Sequence, residues 1–334
     1  MNKLTSLTLA LLLAACTGGT PAKNPDGDPP PFDDPKTDGP GPTAPASSAK
    51  VKEGMDAIQA GDFAKAKEIL SAAEAAAPND PQAAFYLGVA LENGGDTKGA
   101  REKYQKALSL DGKLTEAAVN LSALLLDADE GKAALDVVQA ALKHAPTQPM
   151  LLMNRALALE ATGDAAGALA AYGQAVKAQP DNLELRYAHA ELLAGAGKKD
   201  EALAELRKVA AGADDKLVAA VATLFGKLGG FADCVSTLDK AIQKKAQPDF
   251  HTRRGVCRHE MKDEPGAKSD YEAALKLDPK YAPAHYYLGM HYKTAKKTKE
   301  AVAALEKAVE LSAGKGVGEA AKKELDELKG PPKK

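Results

Sequence analysis

The sequence has no tryptophan and few aromatic residues: only 4% of its 334 residues are Phe, Trp or Tyr, although 45% are hydrophobic. Its apolar content is therefore mostly Ala, Leu and Val, which is unusual for a compact core but sufficient to bury surface. An excess of positive charge is also absent, since 44 basic and 46 acidic residues give a net charge of −2. Binding to the nucleic-acid backbone needs a strongly cationic surface, so we predict no nucleic-acid partner.

Motifs for catalysis and metal binding are missing as well. The sequence contains no GxGxxG, GxxxxGK[ST], GxSxG or HExxH pattern, and its six histidines include no pair with the i, i+4 spacing of two ligands on one helical face. The three cysteines, Cys16, Cys234 and Cys257, are too few for a disulfide framework, and none belongs to a CxxC pair. We expect Cys234 to be a buried small residue and neither it nor Cys257 to be a nucleophile. The sequence thus predicts a protein that is not an enzyme and has no metal site, no cofactor and no small-molecule substrate.

Residues 1–15 have the features of a secretory signal peptide, because a basic residue is followed by an apolar run from Leu4 to Ala14. The run is shorter than the ~20 residues that a membrane-spanning helix needs. The segment Leu13-Ala14-Ala15-Cys16 resembles the lipobox of bacterial lipoproteins. This resemblance implies cleavage between Ala15 and Cys16 and lipidation of Cys16, which would anchor the mature protein to a membrane without spanning it.

The segment after Cys16 is rich in proline and glycine. Residues 17–48 contain nine Pro, five Gly and a single aromatic residue, Phe32, and such a composition cannot build a core. Pro-rich chain favours extended polyproline II at about 3.1 Å per residue, so we predict a disordered tether with a reach on the order of 100 Å. Thr17 stands where some bacterial lipoproteins carry the Asp of inner-membrane retention, which favours the outer membrane.

A period of about 34 residues organises the rest of the chain. Gly61-Asp62, Gly95-Asp96 and Gly163-Asp164 begin similar phrases in one register. Each phrase is closed by a small residue, with a larger apolar residue four positions later and a second small residue seven positions later. The first small column is Ala66, Ala100, Ala134, Ala168, Ala202, Cys234, Ala267 and Ala301. Another small column, which begins at Gly54, precedes it by twelve positions. This spacing predicts that each unit is two helices joined by a short turn, with large and small residues on one buried face.

The columns resemble the tetratricopeptide repeat, and eight copies cover about residues 47–315. The resemblance implies an all-α fold, a right-handed superhelical solenoid of helix-turn-helix units. The early Trp of that family is replaced by Lys50, Ala84, Ala118, Leu152, Arg186, Val218, His251 and His285. After the repeats, Ala321, Leu325 and Leu328 form an apolar stripe among charged residues, which predicts a capping helix. We therefore expect a signal peptide at 1–15, lipidated Cys16 and tether at 16–48, repeats at 49–315, and capping helix and tail at 316–334.

In this family the first helix of each repeat lines a concave groove, and the resemblance places a set of side chains there. The groove candidates are Phe85, Tyr86, Asn120, Met150, Met153, Asn154, Tyr187, Arg253, Tyr286, Tyr287 and Lys293. The apolar and Met side chains of the first five repeats suit an amphipathic peptide or helix. Asn120 and Asn154 lie one period apart, so their amides are candidates for a short ladder along a bound peptide backbone. For Val51, Val119 and Val256, packing against the neighbouring repeat is an equal alternative.

Charge is unevenly distributed along the repeats. Residues 49–239 contain 27 acidic and 20 basic residues, whereas residues 240–334 contain 14 acidic and 21 basic residues. This asymmetry predicts an acidic body and a basic far end that includes Lys293, Lys296, Lys297, Lys299, Lys333 and Lys334. The alternative is that much of this charge is solvated helix surface.

These features predict a lipid-anchored repeat protein of a Gram-negative cell envelope, most simply at the outer membrane and facing the periplasm. It would act as a scaffold that binds other envelope proteins through its groove. The architecture is similar to lipoproteins that help assemble type IV pilus secretins and to repeat lipoproteins of gliding-motility machinery, so an assembly factor of that kind is one alternative. A regulatory subunit of a cell-wall enzyme is another.

Overall fold

The computed structural model describes residues 45–312 and 316–330, and within these ranges it contains 17 α-helices. The predicted signal peptide, Cys16, Thr17 and nearly all of the predicted tether lie outside the described residues, as do Lys333 and Lys334. The first helix begins at residue 45, four residues before the expected start of the repeats. Among the described helices, none combines the length and the apolar character that crossing a bilayer requires.

The described part of the chain divides into two compact units, with the boundary between Ala188 and His189. The helices that begin in the first unit are α1 (Pro45–Gln59), α2 (Phe63–Ala76), α3 (Pro81–Asn93), α4 (Thr97–Leu110), α5 (Thr115–Asp127), α6 (Gly131–Leu142), α7 (Pro149–Ala161), α8 (Ala165–Ala178) and α9 (Leu183–Gly195). Those of the second unit are α10 (Lys199–Ala210), α11 (Asp215–Lys227), α12 (Phe231–Lys244), α13 (Pro248–Glu260), α14 (Glu264–Leu277), α15 (Ala282–Thr294), α16 (Thr298–Leu311) and α17 (Val317–Lys329). They form eight helix pairs followed by a single helix, which confirms the predicted all-α repeat architecture.

The turns within the pairs explain the repeated Gly-Asp phrase. Five turns contain a glycine with a positive φ, a conformation that suits glycine because it has no Cβ. These are Gly61, Gly95, Gly163, Gly197 and Gly229. The residue after glycine then caps the second helix: the carboxylates of Asp62 and Asp96 accept hydrogen bonds from backbone N–H groups three residues later. The other three turns place non-glycine residues in the same conformation, namely Asp129, Lys262 and Lys296.

The three residue columns pack where the sequence predicts. All eight members of the first small column are fully buried, and so is the larger apolar column between the two small ones, whose members are Leu70, Tyr104, Val138, Tyr172, Leu206, Leu238, Tyr271 and Leu305. The small column that begins at Gly54 contacts the large column directly, because a Cβ added to its member Gly88 would lie 2.6 Å from the Tyr104 ring. Small residues on the first helix therefore admit a large residue of the second helix, which is how close helix crossings are filled.

Two buried tyrosines of the large column, Tyr104 and Tyr172, donate hydrogen bonds to carboxylates of the first helix in the same pair. The Tyr104 hydroxyl donates to a carboxylate oxygen of Glu92 at 2.5 Å, and the Tyr172 hydroxyl donates to Glu160 at 3.0 Å. Burial raises the pKa of Glu92 despite the hydrogen bond from Tyr104, and the charge of Asp127 raises it further. A tyrosine hydroxyl inside a helix pair thus has a partly buried carboxylate as its hydrogen-bond acceptor.

The two cysteines of the second unit form a disulfide bond, a pairing that the sequence analysis did not predict. Cys234 on α12 is in the fully buried small column, as predicted, but its Sγ is bonded to that of Cys257 on α13, with the two Cα atoms 6.4 Å apart. The 23-residue separation spans most of α12, the turn after it and most of α13, so the antiparallel return of the chain brings Cys257 within disulfide distance of Cys234. The bond joins the second helix of one pair to the first helix of the next.

The final helix, α17, is the predicted cap. Ala321 and Leu325 are buried against Leu305 and Ala308 of α16, and Leu328 packs at the edge of the same cluster. Charged residues of α17 hold it on its other flank, where Lys293 of α15 pairs with Glu324 and, at 2.9 Å, with Glu327. The last pair is therefore covered by a helix that exposes charge to solvent.

Candidate protein-binding groove

In the N-terminal unit the predicted groove residues divide into buried and half-buried groups. Tyr86, Asn120, Met150 and Tyr187 are half-buried and reach the surface of the first helices. Phe85 is buried, with its ring edge-to-face against Tyr86 at 5.0 Å. Among the valines with two interpretations, Val51 and Val119 are buried in packing clusters. Fewer groove side chains are therefore accessible in this unit than the sequence predicts.

Met153 and Asn154 do not line a groove, because their side chains are 1% and 0% exposed. The first helices α5 and α7 contact each other, so the side of α7 that faces α5 is covered. Asn154 donates from Nδ2 to the Val119 carbonyl at 3.1 Å and to Ser122 Oγ at 2.8 Å. These residues stabilise the stacking of neighbouring pairs.

The predicted asparagine ladder is absent from the described structure for the same reason. Asn120 donates from Nδ2 to the hydroxyl of Tyr104 at 3.1 Å, whereas Asn154 bonds to α5. The two amides occupy the same repeat position but have different partners. They do not present a matched pair to a peptide.

The C-terminal unit contains a cavity of about 420 Å³ on the surface formed by its first helices. Helices α11, α13, α15 and α17 all contribute to its wall. The lining residues are Ala222, Thr223, Gly226, Lys227, Asp249, Thr252, Arg253, Val256, Cys257, Tyr281, Pro283, Tyr287 and Val317. Three predicted residues, Arg253, Tyr287 and Val256, are thereby brought together, and this size is in the range of ligand-binding pockets.

A polar chain crosses this cavity from α11 to α15. Arg253 donates from Nε to Asp249 Oδ2 at 2.7 Å and from Nη1 to Thr223 Oγ1 at 2.5 Å. The Tyr281 hydroxyl donates to the other Asp249 oxygen at 3.0 Å. Burial raises the pKa of Tyr281, and the charge of Asp249 raises it further, so this hydroxyl remains a donor. This series of hydrogen bonds connects three first helices and holds the Arg253 side chain in place.

The remaining predicted residues lie on α15. Tyr287 stacks on Tyr271 of the preceding helix with ring centres 6.0 Å apart, and Tyr286 is edge-to-face with Tyr287. Tyr286 also packs against the cluster that holds α17. Lys293, predicted as a groove residue and part of the basic end, is instead paired with two glutamates of the capping helix. Only Tyr287 of this group lines the cavity.

The histidines of the C-terminal unit have partners within the fold. His251 lies 3.4 Å from buried Asp270, and His285 contacts the Pro279 carbonyl. His259 and His291 both contact one carboxylate, that of Glu264, at 2.9 and 3.0 Å. Among the residues that the structure describes, no group of three or more His, Cys, Asp or Glu is arranged to hold a metal ion.

Several residues of the cavity were not predicted from the sequence. Lys227, Thr223, Asp249 and Tyr281 lie at repeat positions that vary between pairs, so no column marks them. One signal was available: Gln247, one period before Tyr281, also stands at the N-cap position of a first helix, and it donates to Asp215 of the previous first helix at 2.6 Å. A polar residue before a first helix, paired with an Asp about 32 positions earlier, thus recurs in this unit.

Comparisons with known sequences identify the repeat. A family model described as tetratricopeptide repeat matches residues 51–115, 119–174 and 265–315, and a second with the same description matches residues 159–225. No curated protein matches the chain.

Solved structures resemble the fold at low sequence identity. A structure of PilF from Pseudomonas aeruginosa is 19% identical, with 60% of this chain and 92% of that chain covered and a TM-score of 0.52. A tetratricopeptide repeat protein from Parabacteroides merdae is 19% identical, with coverages of 74% and 99% and a TM-score of 0.50. MamA from Desulfovibrio magneticus is 21% identical, with coverages of 50% and 95% and a TM-score of 0.46.

The first family model alone covers more than half of the chain, and its matches fall in the region of the helix pairs. The chain belongs to the tetratricopeptide repeat family, whose domains bind proteins.

Proposed function

We propose that this tetratricopeptide repeat protein is a lipid-anchored scaffold of a bacterial cell envelope. In this proposal Cys16 carries the lipid, residues 17–44 are the tether, and the first helices bind other envelope proteins on the periplasmic side of the outer membrane. The protein acts by binding alone. The lipobox-like segment and Thr17 of the sequence are the basis for the anchor and for the choice of membrane.

The observation that supports the proposed periplasmic location is the disulfide bond between Cys234 and Cys257. Disulfide bonds persist in oxidising compartments such as the bacterial periplasm and are rare in the cytosol. Both cysteines are buried, which favours a structural bond over an exchanging one. With Cys16 lipidated, each of the three cysteines of the sequence has a defined chemical state in an exported protein.

The anchor is tested by replacing Cys16 with Ser in the full chain. We expect the variant to lose labelling by a palmitate analogue and to leave the membrane fraction, because one or more acyl chains supply the membrane affinity. The double variant Cys234→Ala/Cys257→Ala is the matched control, since it also removes cysteine residues but should still be labelled and sediment with membranes. A Cys16→Ser protein that remains labelled and membrane-bound would refute the anchor.

The partner class is tested by cross-linking in the native envelope, followed by mass spectrometry of the detergent-solubilised complexes. Recovery of a secretin or motility component would favour an assembly factor, and recovery of a peptidoglycan synthase or hydrolase would favour a cell-wall regulator. A protein that cross-links to no other envelope protein would contradict the scaffold role.

A further inference from the structure

We propose that the cavity between α11, α13 and α15 binds a sugar that carries an N-acetyl group, with Asp249 and Arg253 as the residues that hold its hydroxyl groups. The ligand is a small molecule, a class that the sequence did not predict and that the scaffold role does not require. The inference rests on the proposed function in one respect, because a bacterial cell envelope is where sugar polymers and glycolipids would reach the protein.

The polar wall of the cavity presents acceptors and donors side by side. Each oxygen of the Asp249 carboxylate accepts one hydrogen bond, from Arg253 Nε at 2.7 Å and from the Tyr281 hydroxyl at 3.0 Å, and each has capacity for a second. In the part of the chain that the structure describes, Nη2 of Arg253 makes no hydrogen bond, so its two N–H groups remain as donors. Neighbouring hydroxyl groups of a sugar both donate and accept, and they therefore match Asp249 and Arg253 together.

The charges of this wall favour a hydroxylated ligand over an anion. Arg253 and Asp249 form an ion pair at 2.7 Å, so the charge of the guanidinium is compensated beside it. A carboxylate bound at Nη2 of Arg253 would also lie near the Asp249 carboxylate, and like charges repel. A hydroxyl group has no such cost. Lys227, an exposed residue that lines the same cavity, supplies a further donor.

The polar residues are held in place before a ligand binds. Arg253 donates from Nη1 to Thr223 Oγ1, and Thr223 donates in turn to the Ala219 carbonyl within α11. Asp249 is fixed by the hydroxyl of Tyr281, which immediately precedes α15. Side chains that are fixed from three helices lose little conformational freedom on binding, so each new hydrogen bond contributes more to affinity.

The remaining wall suits the apolar parts of such a sugar. Tyr287 lines the cavity, and stacking on the buried Tyr271 ring at 6.0 Å holds it in place. The face of an aromatic ring carries partial negative charge, which attracts the polarised C–H groups of a sugar ring. Val256, Pro283 and Val317 add an apolar surface, and the methyl group of an N-acetyl substituent would cover it. The volume of about 420 Å³ is in the range of small-molecule sites and suits a monosaccharide or a disaccharide.

The experiment measures the binding of two matched disaccharides to the purified mature full-length protein by saturation-transfer NMR and titration calorimetry. The probes are diacetylchitobiose and cellobiose, which share one linkage and differ in that cellobiose has hydroxyl groups in place of the acetamido groups. We expect diacetylchitobiose to bind about tenfold more tightly, with the strongest saturation at its methyl groups, and to bind Arg253→Gln about tenfold more weakly than wild type. Val256→Thr keeps the shape of the side chain but adds a hydroxyl group, so it should reduce the preference for diacetylchitobiose over cellobiose.

The matched control is Arg207→Gln, because Arg207 lies in the same unit, pairs with Asp233 at 2.8 Å and does not line the cavity. It should bind diacetylchitobiose as wild type does. Absence of binding to the folded wild-type protein, equal affinity for the two disaccharides, or equal weakening by the two arginine variants would overturn the site.

Circular dichroism melting shows whether each variant is folded, and the comparison of the two sugars on the wild-type protein decides the proposal even where a variant is not. The measurement involves neither membranes nor partner proteins. Failure of this site is therefore distinguishable from failure of the lipid anchor or of the scaffold role.

Discussion

Removal of the disulfide bond is the perturbation whose effect the structure defines best. Cys234 stands in a column whose other seven members are all Ala, and every member is fully buried. Cys234→Ala therefore introduces the residue that the other pairs use at this crossing. The double variant Cys234→Ala/Cys257→Ala removes the covalent link with a minimal change in packing.

The expected magnitude follows from the length of chain that the bond closes. In the chain-entropy description, a disulfide that closes a separation of 23 residues raises the free energy of the unfolded chain by about 3.5 kcal/mol. At a urea m-value of about 1.5–2 kcal/mol/M, this corresponds to a loss of roughly 2 M in the unfolding midpoint of the C-terminal unit. In a repeat array each pair contacts only its neighbours, so the loss should be concentrated in α12 and α13.

The assay is urea unfolding with hydrogen exchange resolved by mass spectrometry, because the sequence has no tryptophan to report on unfolding. Oxidised wild type should protect α12 and α13 more strongly than the double variant, while wild type with a reductant should resemble the variant. Protection of α3 and α4 in the N-terminal unit is the internal control and should not change. Equal midpoints of oxidised wild type and variant would refute the view that the bond stabilises this unit.

Two further predictions concern packing and pH. Gly255→Ala should lower the free energy of unfolding by about 1–2 kcal/mol, because its Cβ would lie 2.5 Å from the buried Tyr271 ring. The matched variant Gly226→Ala, whose Cβ would lie 3.9 Å from its nearest neighbour, should raise the free energy of unfolding by about 0.5–1 kcal/mol. Chemical denaturation measures both, and a destabilised Gly226→Ala would contradict the argument. Burial raises the pKa of Glu264, but hydrogen bonds and charges of His259 and His291 outweigh burial and leave the pKa lowered. A lowered folded-state pKa stabilises the protein above the unfolded value near 4.5, and this stability is lost as the pH falls below it. Melting from pH 7 to pH 3 should therefore show a shallower acid loss for Glu264→Gln, and an unchanged slope would contradict the assignment.

The fold was predictable because its determinants repeat. The position of Ala66 is defined eight times over, and so are the turn at Gly61 and the large residue at Leu70. Each copy constrains the others, so a single atypical residue does not obscure the pattern. Even the turns without glycine were fixed by register, since Asp129, Lys262 and Lys296 adopt the positive φ of the glycines that they replace.

Side-chain partners were not predictable, because they depend on which residue the preceding pair contributes. Asn120 donates to the hydroxyl of Tyr104, sixteen residues earlier. At the equivalent distance before Asn154 the chain has Val138, which offers no acceptor, and Asn154 turns instead to Ser122 and the Val119 carbonyl. Identical residues in one column therefore differ in exposure and role. The Cys234–Cys257 disulfide was not predicted for a related reason, because its two residues belong to different columns and to different helix pairs.

The same dependence between columns limits where binding specificity can be encoded. Where the large column holds Tyr104 or Tyr172, the position twelve residues earlier is Glu92 or Glu160 and serves the core. At Tyr271 that position is His259, which is paired with Glu264. Once these positions are committed to packing, the outward faces of the first helices remain free to vary. In the C-terminal unit that variation produces Asp249, Arg253 and Tyr281, which line the cavity and distinguish its surface from the repeated core.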